Sequence, residues 1–151
     1  MLDDVDRRLL RNLQNDPTVP IAELAERSRT TAVTAARRLE KLSAQGILKG
    51  QCAIVDWRAL GFAVEVSLRI TLDKTNPRAF DEFLAAARCV PVAIEIQTFL
   101  GRVDVRLSII ARDMQHYQQI YRSRILTLPH IADIEALMHV ATIKTTEALP
   151  I

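Results

Sequence analysis

Between Arg27 and Lys49 the sequence carries six basic side chains, at positions 27, 29, 37, 38, 41 and 49, against a single acid, Glu40. Cations clustered in this way replace counterions along a phosphate backbone. A solvated helix face would carry the same residue types, so charge alone leaves both readings open. The surplus is local. Residues 1–50 hold nine Lys/Arg and seven Asp/Glu, and the remainder holds eleven of each, so the formal charge of +2 arises entirely in the first third. The other constellations point to surface or core roles. His116, His130 and His139 fall on a helix, a turn and a strand, without a second ligand at metal spacing. Cys52 and Cys89 match no metal or redox spacing and read as reduced thiols. Gly46, Gly50, Gly61 and Gly101 are isolated and build no phosphate loop. No apolar run is long enough to span a bilayer, and the acidic opening Met1-Leu2-Asp3-Asp4 is unlike a secretory signal, which predicts a cytoplasmic protein.

The cations need elements to position them, and the surrounding residues supply three helices. The first is expected from Asp3, as N-cap, to Asn15, with Val5, Leu9, Leu10 and Leu13 at helical spacing and Asp16-Pro17 as its stop. The second spans about 20–27, with Ile21, Leu24 and Ala25 inward. After a polar break at Ser28-Arg29-Thr30, Thr31 caps a longer helix. Its inward stripe is Ala32, Ala35, Ala36, Leu39 and Leu42. Val33, Thr34, Arg37 and Lys41 face outward, with Arg38 at the flank. Two helices joined by a short turn, the second one basic, form a helix-turn-helix pattern. In that frame Arg37 or Arg38 reaches guanine or a phosphate, and Val33 touches a thymine methyl. Gly46 is a left-handed C-cap.

Beyond the head, Cys52–Val55 reads as a short extended piece in a connector over 49–61. Period-two alternation then marks a strand from Phe62 to Leu72. Pro77 opens a helix with Phe80, Phe83, Leu84 and Ala87 inside. Val92, Ile94 and Ile96 make a second strand, and Val103, Val105, Leu107 and Ile109 a third, with Gly101 in the turn between them. Asp113 caps a helix carrying Met114, Tyr117, Tyr121 and Ile125 on one face. Ile134, Ala136, Met138 and Val140 form the last strand. This β-α-β-β-α-β order is the ferredoxin-like arrangement, whose helices cover one sheet face. The other face, expected to carry Phe99, Ile110 and Leu137 among polar residues, predicts dimerisation through the sheet. The fold class is therefore α+β, with a head at 1–48, a linker at 49–61 and a second domain at 62–151.

In its order of motifs the chain resembles the Lrp/AsnC (leucine-responsive/asparagine regulator) family of transcription factors. The resemblance spans Leu2-Asp3-x-x-Asp6-x-x-Leu9-Leu10-x-x-Leu13-x-x-Asp16, Glu23-Leu24-Ala25, Arg38-Leu39-x-x-Leu42, Gln45-Gly46-Ile47-Leu48-Lys49-Gly50, Gly101-x-x-Asp104, Asp113-Met114-x-x-Tyr117, Leu128-Pro129 and Lys144. It implies a winged or linked helix-turn-helix that binds double-stranded DNA through Thr31, Val33, Thr34, Arg37, Arg38 and Lys41. It also implies a ferredoxin-like effector domain, no enzymatic activity, no cofactor or metal, and a homodimer that assembles further, often to an octamer. The effector is a small molecule, an amino acid or related metabolite, bound around Leu100, Gly101, Arg102 and Asp104 with help from Met138.

The sequence also departs from the family's pattern. Arg29 stands where the helix-turn-helix turn usually has glycine, and Thr30 where an apolar residue is usual. Arg102 replaces an acid after Gly101, and Leu100 replaces a small residue before it. Arg102 suits an effector with a free carboxylate, or is a solvated surface arginine. Two other readings share the two-domain plan: a haem-precursor decarboxylase, which needs histidines lining a porphyrin pocket where this sequence has none near Gly101, and an effector-binding protein whose head has lost DNA affinity.

Overall fold

The computed structural model describes residues 2–145 and 148–151. They form two compact units, Met1–Ile54 with Ile143–Ile151, and Val55–Thr142. The C-terminal segment thus belongs with the head, not with the sheet domain expected over 62–151. The expected short strand at Cys52–Val55 is absent; these residues are exposed and pair with no strand.

The head consists of α1 (Asp4–Asn15), α2 (Ile21–Arg27) and α3 (Ala32–Ala44). Helix α1 starts in a reciprocal capping box. The Asp3 carboxylate accepts from the Asp6 amide at 2.9 Å, and the Asp6 carboxylate accepts from the Asp3 amide at 3.2 Å. This satisfies two amides that a helix start leaves without partners. Leu9, Leu24, Ala25 and Ala35 form the buried centre, with Val5, Leu13, Val19 and Leu39 packed around it. Ser28, in the turn between α2 and α3, is fully buried, and both its hydroxyl and its carbonyl accept hydrogen bonds. Its hydroxyl accepts from Asn12 Nδ2 at 3.0 Å and its carbonyl from Arg8 Nε at 2.9 Å. Helix α3 ends at Gly46, in the left-handed conformation at φ +69°, with the Ile47 and Leu48 amides both turned back to the Leu42 carbonyl. The C-terminal residues return to α1. Gln14 exchanges two hydrogen bonds with the Leu149 backbone, and Arg11 Nε donates to the Ile151 carbonyl at 2.8 Å.

The second unit is a four-stranded antiparallel sheet in the order β2-β3-β1-β4. Its strands are β1 (Val64–Leu72), β2 (Ala93–Thr98), β3 (Val105–Ala111) and β4 (Ile131–Met138). Helices α4 (Ala79–Ala87) and α5 (Met114–Ile120), the latter continued by a wider π-type turn over Tyr121–Ile125, bury one face. Val66, Leu68, Ile70, Val105, Leu107 and Ile109 meet Phe83, Ala87, Tyr117 and Ile125 there. The Asp113 carboxylate caps α5 by accepting from the His116 amide at 2.7 Å.

Several pattern-based expectations give way to local geometry. Phe80 is exposed on α4 because the buried stripe is Ala79, Phe83 and Ala87, spaced four residues apart, and Phe80 lies at its edge. Ile94 is exposed because the β2–β3 register shifts between Ala93 and Glu95, which turns it out of the alternation of its neighbours. Met114 and Met138 are about half-exposed, and Val140 lies beyond β4. Ala32 and Ala36 of α3 are exposed, so the inward stripe narrows to Ala35, Leu39 and Leu42. On the open sheet face Ile110 is already buried within the single chain, and Phe99 lies past the end of β2. That face is mainly polar: Glu65, Ser67, Arg69 and Thr71 of β1 lie between Arg106 and Ser108 on one side and Asp133, Glu135 and Leu137 on the other.

Candidate DNA-binding face and effector cleft

Helix α3 is placed by its cap and by a salt bridge. The Thr31 hydroxyl accepts from the Thr34 amide at 3.2 Å and bonds the Thr34 hydroxyl at 2.9 Å. Both threonines are therefore engaged in starting the helix. Val33 is 80% exposed although apolar. Arg37 and Lys41 are exposed and have no hydrogen bond or ion pair among the described residues. Ala36 and Glu40 share this outward side, at one-turn spacing from Val33 and Arg37. Ala36, placed inward by its spacing, is exposed, and its small side chain leaves room for a surface to approach the helix.

Arg38 has a different task from its neighbour. It lies half-buried, its Nη1 bonded to Asp6 at 2.8 Å and to Asp3. The same two carboxylates build the α1 cap, so one guanidinium ties α3 to the start of α1. The charge-assisted bonds hold Asp3 below the usual carboxylate range, the largest cause being the bond from the Asp6 amide and the next that from Arg38. Those to Asp3 and then Asp6 raise the Arg38 guanidinium further. With this nitrogen bonded to two carboxylates, Arg38 acts as a brace within the head.

In the second unit the β2–β3 turn divides in the same way. The Asp104 carboxylate accepts from the Leu72 amide at 2.8 Å and stands 3.6 Å from Lys74 Nζ. Its backbone continues the sheet, with the amide bonded to the Ile70 carbonyl and the carbonyl to the Phe99 amide. Leu100 is fully exposed, and Gly101 has open space where a Cβ would stand. Arg102 is exposed, its carbonyl held by the Thr71 hydroxyl at 2.8 Å. Met138 is not brought to this turn. It pairs with Val66, whereas Thr71 pairs with Asp133, and five strand residues span roughly 17 Å.

What the turn does meet is a cleft of about 280 Å³ lined by Arg69, Thr71, Arg102, Val103, Asp133, Ile134 and Glu135. Two guanidinium groups and two carboxylates line one small concavity. Arg69 and Glu135 form only a long ion pair of 3.8 Å, with both side chains half-exposed. Such a lining is complementary in charge to a small molecule carrying both signs. Of the cleft's charged and polar lining, the sequence pattern singles out Arg102 and leaves Arg69, Thr71, Asp133 and Glu135 unmarked. In a single strand each looks like an outward polar residue of a half-buried sheet. The available signal was Asp133-x-Glu135 opposite Arg69-x-Thr71, which needs the strand pairing to be known.

A helix-turn-helix head with an outward basic helix, joined to a ferredoxin-like domain with a polar cleft, defines a ligand-binding DNA regulator. Residues 2–43 match the AsnC-type helix-turn-helix domain, and residues 65–149 match the Lrp/AsnC ligand binding domain. The chain belongs to the Lrp/AsnC family of DNA-binding transcriptional regulators. It is 28% identical to the HTH-type transcriptional regulator Zrp of Zymomonas mobilis, over 99% of this chain and 97% of that one. It is also 28% identical to the DNA-binding transcriptional activator DecR of Escherichia coli, over 100% and 99%. Its fold matches that of an AsnC family regulator from Agrobacterium tumefaciens, with TM-score 0.88 and 26% identity over 99% of this chain and 97% of that one. It also matches a regulator from Neisseria meningitidis solved as an L-methionine complex, with TM-score 0.90 and 23% identity over 99% and 97%. These relatives are regulators, which sets aside the decarboxylase reading.

Proposed function

We propose that this regulator docks the Val33, Ala36, Arg37 and Lys41 face of α3 on duplex DNA and takes an amino acid, or a close zwitterionic relative, in the cleft beside Arg102. The observation that carries the effector reading is the paired charge of the cleft, Arg69 and Arg102 against Asp133 and Glu135. A carboxylate fits the guanidinium side and an ammonium the acidic side. The volume is at the lower end of small-molecule sites, which favours a ligand of amino-acid size. The Neisseria regulator's L-methionine complex supports the same class. The effector set is thus Arg102 with its strand neighbours, flanked by Leu100 and Gly101. Asp104 holds the turn, and Met138 stands apart in the single chain.

The working unit of this reading is a homodimer, with an operator that is an imperfect inverted repeat. Two-fold symmetry sets recognition helices about 34 Å apart or a multiple of it. A monomer by light scattering at micromolar concentration would remove that part. The effector reading is tested by thermal shift with each of the twenty amino acids on wild type and Arg102→Ala. A ligand selective for the folded state raises Tm. A shift in wild type that Arg102→Ala loses is the expected result, and an equal shift in both contradicts the cleft assignment.

A further inference from the structure

The turn before α3 contains Arg29 with a left-handed backbone, φ +53°. Its amide donates to the Glu26 carbonyl at 3.0 Å, and the next amide, of Thr30, to the Ala25 carbonyl at 2.9 Å, so this conformation is fixed by the end of α2. A side chain in that region meets a steric penalty that glycine avoids. Four of the head's six other arginines show what a structural arginine does here. Arg8 holds the Ser28 carbonyl, Arg11 the Ile151 carbonyl, Arg27 both Asp16 and Glu23, and Arg38 both Asp3 and Asp6. Arg29 does none of this. Its side chain is exposed and makes no hydrogen bond or ion pair among the described residues, although Glu26 lies one turn behind it. In this it matches Arg7 of α1 and the outward cations of α3, Arg37 and Lys41; like the latter two it lies on the α3 side of the head, two residues ahead of the Thr31 cap.

We infer that Arg29 is a phosphate-contacting residue of the DNA interface. Recognition helices approach the major groove by their N-terminal residues, which puts the residue ahead of the cap beside the phosphates at the groove edge. A phosphate contact adds affinity without reading sequence. The inference extends the α3 docking reading to a residue outside the helix, and rests on it.

Its signature is that affinity and stability part company. Wild type, Arg29→Gly, Arg29→Lys and Arg37→Ala are titrated by fluorescence anisotropy on two unrelated mixed-sequence duplexes across a salt series, and urea midpoints are measured alongside. Arg29→Gly relieves the left-handed strain, so its midpoint equals or exceeds that of wild type. Its affinity falls equally on both duplexes, and the slope of log K against log salt becomes shallower by about 0.9 for each docked head. Arg29→Lys keeps the charge and the slope. A wild-type slope in Arg29→Gly, while Arg37→Ala weakens binding, overturns this inference alone. So does a loss confined to one duplex, or an equal loss in Arg29→Lys. Absence of binding by wild type to either duplex overturns the docking reading and this inference together.

Discussion

Helix α3 and the β2–β3 turn each carry two charged residues close together in sequence, and each region turns one inward and leaves the other out. On α3, Arg38 is fixed by Asp3 and Asp6, while Arg37 is exposed without a partner. At the turn, Asp104 is fixed by the Leu72 amide and Lys74, while Arg102 is exposed at the rim of a cleft. The selection differs in origin. On the helix, a step of about 100° per residue separates adjacent arginines by direction alone. At the turn, the backbone reverses, and the carboxylate lies where the Leu72 amide needs an acceptor. In both cases the inward residue holds the frame and the outward one is available to a ligand.

If that division is right, the largest effect belongs to the inward set. Asp6→Ala removes a buried carboxylate that serves both the α1 cap and Arg38, and should cost about 2–3 kcal/mol in urea unfolding of the head. A loss under about 0.5 kcal/mol, the range of ordinary surface changes, would show that the brace holds nothing. Arg102→Ala should leave stability in that surface range while weakening the effector by roughly 1.5–3 kcal/mol, the worth of a charge-assisted bond; calorimetric titration with the amino acid found by thermal shift measures it. Asp104→Ala should do the reverse, lowering stability by around 1 kcal/mol with the effector's Kd unchanged. Equal dissociation constants for wild type and Arg102→Ala, with a raised one for Asp104→Ala, would invert the comparison at the turn.

The smallest effect is electrostatic. Asp3 is held below 3.8 in the folded head, by the Asp6 amide first and Arg38 second. A carboxylate depressed on folding contributes stability that is present above 3.8 and is lost as pH falls through its lower folded value. Glu82, in the other unit, is held below 4.5 mainly by its bond to His130 and loses its contribution in the same sense. Asp3→Asn should flatten the acid limb of the head's unfolding curve and leave that of the sheet unit unchanged. Equal flattening in both units would contradict the assignment.

Much of the frame is legible in local pattern. Asp3, Thr31 and Asp113 are caps because short oxygen-bearing side chains precede apolar-periodic runs, and all three accept the amides that the pattern implies. Gly46 ends α3 as a glycine after a helical run should. The alternation in Val64–Leu72 and Val105–Ala111 places the sheet core correctly. What fails is what depends on partners distant in sequence. Arg38 reads as a groove residue until α1 folds against it, more than thirty residues away in the chain. The cleft needs the register that sets Thr71 beside Asp133. The return of Leu149 and Ile151 to α1 leaves no periodic mark at all. Ile94 and Phe80 fail for a smaller reason: one bulge turns Ile94 outward, and the buried stripe of α4 runs along Ala79, Phe83 and Ala87, one position from Phe80.

The most direct test of the whole account compares the two adjacent arginines on duplex DNA. The salt dependence of affinity is measured for wild type, Arg37→Ala and Arg38→Ala at a temperature where unfolding curves show all three folded. The account predicts that Arg37→Ala weakens binding by about 1–3 kcal/mol if it contacts guanine, or reduces the salt slope by about one per head if it contacts phosphate. It predicts that Arg38→Ala binds with the wild-type slope and shows its loss only in stability. A reduced slope in Arg38→Ala with none in Arg37→Ala would mean that α3 docks by its other side, and would contradict the account.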